Sequence, residues 1–207
     1  STGEDAVFTA DDLDRSGRVE VVAANARTGD DDRALVNRLA FGVGGLSERI
    51  GRGRVATVSG RYWAMDRDKR WDRVKKAWDA MVCGEGATAT DAVACVQAAY
   101  GRGETDEFIT PTVLVDNQGA AVGRIADNDA VIFFNFRADR VRELCHAFSD
   151  ADFSGFAADC RPRLLELATM TEYEADFPFP IAFPPVSLTR ILGEEVSRHG
   201  RRQLRIA

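Results

Sequence analysis

SGRYWAMDRDKRWDRV, residues 59–74, decides how this chain is read. It sets Arg61, Arg67, Arg70 and Arg73 among aromatics and aspartates, directly after the apolar run at 55–58. A second stretch, FFNFRADRVR at 133–142, repeats the layout: an apolar run that breaks into Arg137 and Arg140. Two strands that deliver arginines at their C-terminal ends build one anion pocket at the ligand-binding edge of an open α/β sheet. Arginine's planar fork holds phosphate and carboxylate oxygens bidentately. Guanidinium groups held together repel one another unless an anion or carboxylates fill the gap. Asp66, Asp68 and Asp139 are at hand to fill it at rest, and an arriving phosphate competes with them.

The surroundings of these stretches are those of an ordinary globule. The chain has 207 residues, 45% of them hydrophobic and 29% charged, enough for one well-cored domain. A net charge of −6 argues against a general nucleic-acid binder and makes the arginines a local positive notch on an acidic body. No run of about 18 uncharged apolar residues predicts a membrane span. The acidic start STGEDAVFTADD lacks the order of a signal peptide. Cys83, Cys95, Cys145 and Cys160 form no CxxC, and they read as buried, reduced thiols of a cytoplasmic protein.

Outward from the arginines, the pattern alternates. Strands are expected at 18–24, 54–58, 130–136 and 164–170, with a hairpin about the turn Asp116-Asn117-Gln118-Gly119. Pro111 marks 108–115 as an edge or a bend. Helices are expected at 31–50, from 68 or 69 to 82 (Val74, Ala77, Trp78 and Met81 sharing a stripe), from a cap at Thr90 or Asp91, at 138–148, and from a Ser187 cap to His199. A final strand begins at 203. This alternation predicts an α/β fold, a three-layer α/β/α sandwich with a mostly parallel, mixed central sheet.

Other chemistries find little support. His146 and His199 are the only two histidines, and neither lies in an HxxxH or HExxH pattern. There is no GxSxG elbow and no P-loop, and the glycines at 42–53 follow no strand-to-helix junction. Arg70 and Arg73 read as a solvated helix face. Arg61 follows the small-residue turn Ser59-Gly60, and Arg137 follows a buried strand directly. Arg140, three residues on, returns to the same side.

The order GRVATVSGRYWAMDRDKRWDRV, TDEFITPTV, DAVIFFNFRADRVREL, MTEY, AFPP and QLRIA resembles the cofactor-independent phosphoglycerate mutases, which do not use bisphosphoglycerate. The resemblance is strong over about 51–207 and weak over 1–50. It implies two domains in the family: a phosphatase-like one with a serine nucleophile and two divalent metals, usually manganese, and one inserted into it that holds the glycerate. This chain resembles the inserted, substrate-binding domain only, with 1–207 as a single domain and no phosphatase-like part.

The resemblance further implies that Arg61 and Arg67 (GRYxAMDR) and Arg137 and Arg140 (NFRxDR) bind substrate. Asp30 falls at the aspartate of the family's LDGRD-type loop, although Gly29 stands where its arginine belongs. The GVHSH-type histidine has no counterpart, and the family's lysine lies past QLRIA. The implied function is the substrate-holding part of an enzyme interconverting 3-phosphoglycerate and 2-phosphoglycerate in glycolysis, with no metal, no cofactor and no catalytic group in this chain. The chain alone is expected to be inactive. The alternatives are a free-standing phosphoglycerate-binding module or a non-catalytic remnant. Expected partners are the phosphoglycerates and the phosphatase-like domain, with no nucleic acid and no membrane.

Overall fold

The fold was derived from a computed structural model, which describes residues 19–22 and 53–204. Asp30, the helix expected at 31–50 and the end of the last strand lie outside these residues. The chain is α/β, with most strand pairs parallel. One ladder joins β1 (Val19–Val22), β5 (Ala130–Phe133) and β6 (Glu166–Thr169), all parallel, with β5 in the centre. The second joins β2 (Thr57–Val58), β4 (Thr112–Leu114) and β3 (Ala87–Ala89), with β2 antiparallel and β3 parallel to β4.

Each ladder is threaded by a strand–helix–strand crossover, as parallel neighbours require. The helix α3 (Ala92–Gly101) links β3 to β4. Asp91 caps it by accepting the Ala94 N–H at 2.7 Å. The helix α4 (Arg142–Ser149) links β5 to β6. Before these stand the single-turn α1 (Arg61–Ala64) and α2 (Trp71–Trp78), which continues as a π-helical turn, Asp79–Cys83, and stops at Gly84 with φ +74°. The last helix is α5 (Leu192–Arg198).

The main core lies between α2, α4 and the β5–β6 pair. Val74, Ala77, Trp78 and Met81 form the buried stripe that their spacing predicted. Trp78 is fully buried, with its ring 4.5 Å from that of Phe148. Phe133 on β5 lies 6.2 Å from the same ring. Four short hydrogen bonds around Asp116, whose side chain accepts the N–H groups of Gln118 and Ala120, build the expected turn. Only a single bridge, Val115 to Ala121, follows it in place of a hairpin.

Several boundaries differ from expectation. Pro111 does not put β4 at an edge: β4 is central, because the missing N–H falls just before the ladder at 112–114. The β5 strand ends at Phe133, and Phe134 and Phe136 are exposed. The helix expected at 138–148 begins as a 3₁₀ turn, Ala138–Arg140. The last helix starts at Leu192, not after Ser187. Arg190 turns the chain at φ +59°, and Glu194 accepts its N–H at 2.6 Å. Cys95 and Cys145 are buried, but Cys83 is half-buried and Cys160 exposed, contrary to the expectation for all four.

Candidate functional site: an arginine turn closed by Asp139

Arg137 sits at the start of the 3₁₀ turn that follows central strand β5. Its approach is fixed from beneath. Tyr173, buried in the MTEY segment, donates its hydroxyl toward the carbonyls of Phe133 (3.1 Å) and Asn135 (2.5 Å). Burial pushes the Tyr173 phenol up, so it remains a donor throughout the physiological range. Thr171 adds a bond to the Phe136 carbonyl at 3.3 Å.

The other segment arrives from the second ladder. After β2, the Gly60 N–H bonds to the Ile109 carbonyl (2.8 Å) and the Tyr62 N–H to that of Glu107 (2.9 Å). The chain makes the single turn of α1 and then a tight loop, 65–70. Asp66, buried, organises that loop: its Oδ2 accepts the N–H groups of Asp68 and Arg70, each at 2.9 Å. Its Oδ1 faces Arg73 at 3.4 Å. Arg73 is therefore no solvated face residue. It is half-buried, and its guanidinium lies 3.9 Å over the Tyr62 ring.

The two segments meet on one carboxylate. Arg137 donates Nε to Asp139 Oδ1 at 2.7 Å and Nη2 to Oδ2 at 3.2 Å. Arg67 donates Nη1 to that same Oδ2 at 3.2 Å, from 72 positions away in sequence. Arg140 reaches the Met65 carbonyl at 3.4 Å, fastening the 3₁₀ turn to the loop that carries Arg67. Arg67, Arg137 and Arg140 are thus gathered. Arg61 is turned elsewhere: its Nη2 bonds Glu107 Oε2 at 2.7 Å, and no described contact joins it to the other three. Its place also differs from expectation. It opens a helical turn after a strand of the second ladder, so the arginines come from the ends of two ladders, not one sheet edge.

The Arg137 hydrogen bond is the main influence holding the Asp139 carboxyl below its ordinary value, with Arg67 adding to it. A depressed carboxyl contributes stability above its unfolded value and loses it as pH falls through the folded one, so this closure persists at neutral pH. The side chains of Arg67 and Arg137 are 48% and 57% exposed, so an anion from solvent reaches them.

Glu143 and Tyr173 are supporting residues that no local pattern reveals, because their partners are remote in sequence. Glu143, in the first turn of α4, accepts the Lys69 N–H at 2.8 Å and so holds a residue at φ +57°. Its Oε2 is buried and has no hydrogen-bond partner among the described residues. Burial first, then the Asp66 and Asp68 carboxylates, lift this carboxyl above its usual 4.5. The folded state therefore binds the proton more tightly than the unfolded chain does. The contribution of Glu143 to stability is fullest at low pH and is lost as pH rises from 4.5 through the raised value. Glu143→Gln keeps an acceptor for Lys69 without a buried charge. We expect a flatter stability profile and a gain of about 1 kcal/mol at neutral pH. Urea unfolding of both proteins at about pH 5 and about pH 8 checks this; parallel profiles would remove Glu143 as the source.

His146 and His199 stay structural in their contacts. His146 on α4 lies between Asp150 (2.9 Å) and Glu174 (3.3 Å), and His199 meets the Glu195 carbonyl at 2.8 Å.

Comparison with known proteins gives one consistent answer. The family model described as the BPG-independent PGAM N-terminus matches residues 43–175. The 2,3-bisphosphoglycerate-independent phosphoglycerate mutase of Syntrophotalea carbinolica is 52% identical over 158 residues, covering 76% of this chain and 30% of that protein. The Pseudomonas aeruginosa protein of the same name is 50% identical over 159 residues, covering 76% of this chain and 31% of its own. Crystal structures of Leishmania mexicana phosphoglycerate mutase at low cobalt concentration match with a TM-score of 0.69 at 31% identity, over 83% of this chain and 32% of that one. The chain therefore spans about a third of the length of the relatives it matches.

Proposed function

The chain belongs to the BPG-independent phosphoglycerate mutase family and carries its N-terminal region, and from that premise we propose that it is the substrate-holding part of an enzyme that interconverts 3-phosphoglycerate and 2-phosphoglycerate. The observation that supports this most is the shared carboxylate. Arg67 and Arg137 already hold an oxyanion between them, supplied by Asp139. A phosphate or carboxylate of the substrate takes the place of Asp139, with more charge and more acceptor oxygens for the same forks. Arg140 lines the same turn, and Arg61 and Asp30 complete the proposed set.

Phosphoryl transfer depends on positioning and on stabilising charge. In this reading the arginines keep the glycerate bound and let it reorient between the two half-reactions. The nucleophile and the two manganese ions belong to a phosphatase-like domain elsewhere in the longer protein. Among the described residues no group of three or more His, Cys, Asp and Glu is arranged to hold a metal, and no step assigned to this chain runs through one. An apolar surface fits contact with that partner. The Phe136 ring lies tilted 5.6 Å from that of Phe183, Phe134 lies 6.2 Å from Phe136, and Val186, Leu188 and Leu192 stand exposed nearby in sequence, beyond the matched family region.

Thermal unfolding of the chain with increasing 3-phosphoglycerate tests the reading. A ligand specific to the folded state raises the midpoint continuously, following RT ln(1 + [L]/Kd). A shift no larger than that given by inorganic phosphate at equal ionic strength would leave a fold without its ligand.

A further inference from the structure

Cys83 and Cys160 are taken up by no part of the site. Cys83 is the last residue of the π-helical turn that ends α2, and Cys160 is 77 positions later by sequence number, on the loop between α4 and β6. Two donors from α2 and its π turn converge on the peptide unit that leads into Cys160. The Trp78 Nε1–H and the Cys83 thiol both bond to the Asp159 carbonyl, at 3.3 and 3.2 Å. Cys160 itself takes φ +60°, a left-handed conformation that a β-carbon disfavours. The loop is thus pinned with Cys160 beside the end of the helix. Cys160 is exposed and Cys83 half-buried, whereas Cys95 and Cys145 are sealed in the core.

We propose that Cys83 and Cys160 form a dithiol modification site that a small-molecule disulfide, such as glutathione disulfide, converts to an intramolecular disulfide. The exposed Cys160 thiolate attacks one sulfur of glutathione disulfide, forming a mixed disulfide and expelling one glutathione thiolate. Cys83 then gives its proton to solvent, and its thiolate attacks Cys160 Sγ. The Cys160–glutathione bond breaks, and the second glutathione leaves. Two protein thiols are oxidised, and one glutathione disulfide is reduced to two glutathiones.

The surroundings set the rate. Burial, with the adjacent Cys160 thiol next and Asp79 and Glu85 adding negative charge, pushes Cys83 up to about 12. The second step therefore waits on a scarce thiolate and accelerates about tenfold per pH unit through neutral and mildly alkaline solution. The bridge lies at the far end of α2 from the Asp66 loop, so its formation is separable from phosphoglycerate binding.

The test is incubation of the reduced protein with glutathione disulfide, followed by intact mass and a peptide map without reductant. The expected product has lost two hydrogens and joins the peptides of Cys83 and Cys160, with Cys95 and Cys145 still alkylatable after unfolding. Cys83→Ser should halt at the glutathione adduct on Cys160, and Cys160→Ser should form neither product. A wild-type adduct that persists at alkaline pH, a crosslink between two chains, or a bridge that includes Cys95 or Cys145 would overturn the proposal. Loss of 3-phosphoglycerate binding in the reduced protein would leave this chemistry untouched.

Discussion

Gly60→Ala should destabilise the protein by roughly 3 kcal/mol or more and disturb the arginine turn with it. The reason is space, not backbone freedom, since Gly60 has φ −70° and ψ 153°, open to any residue. A β-carbon there would lie 2.4 Å from the Glu107 carbonyl oxygen and 2.6 Å from the Ile109 nitrogen. Both are backbone atoms, so no side chain can swing aside. The strand-like crossing must open, and with it go the Gly60–Ile109 and Tyr62–Glu107 hydrogen bonds, each worth about 1 kcal/mol net. The same crossing anchors Arg61, whose partner Glu107 sits in the displaced turn. Gly101→Ala is the control. It closes α3, meets nothing within 4 Å, and should be neutral or stabilising by about 0.5 kcal/mol. Urea unfolding compares them; equal midpoints for the two variants would show that the 59–61 crossing yields at no cost.

What was legible in the sequence was what local periodicity and turn chemistry encode. The stripe of α2 follows from residues three and four apart, and Asp91 and Asp116 announce a cap and a turn through their own side chains. The arginines at the strand ends and Asp139 as their resting counter-ion were also readable. What was hidden depends on partners far along the chain. Ala87–Ala89 pairs as β3 although its small residues carry no strand signature, because it has β4 to bond to. The π-helical end of α2 changes the hydrogen-bond register without changing the apolar spacing. Ser187 looked like a cap, but Glu194 reaching back to Arg190 places the helix start at Leu192, five residues beyond Ser187. Glu143, Glu107 and Tyr173 support the arginines from segments that only the folded chain brings close.

Arg67→Ala and Arg137→Ala should each weaken 3-phosphoglycerate binding roughly ten- to a hundredfold, the scale of a lost charge-assisted contact. Both forks address one anion position, so the double variant should lose less than the product of the single losses. Asp139→Asn separates two roles of the carboxylate. If Asp139 merely occupies the site at rest, its removal takes away a competitor and a repulsive charge, and affinity rises a few-fold. The amide still offers an oxygen to Arg137, so the turn keeps its shape. Arg140→Ala acts differently, since its guanidinium also ties the 3₁₀ turn to the Met65 carbonyl; it should lower both affinity and thermal stability. Calorimetric titration of the wild type and the five variants with 3-phosphoglycerate decides. Unchanged affinity in Arg67→Ala and Arg137→Ala would mean that the pair exists only to hold Asp139, a structural clasp that substrate never opens.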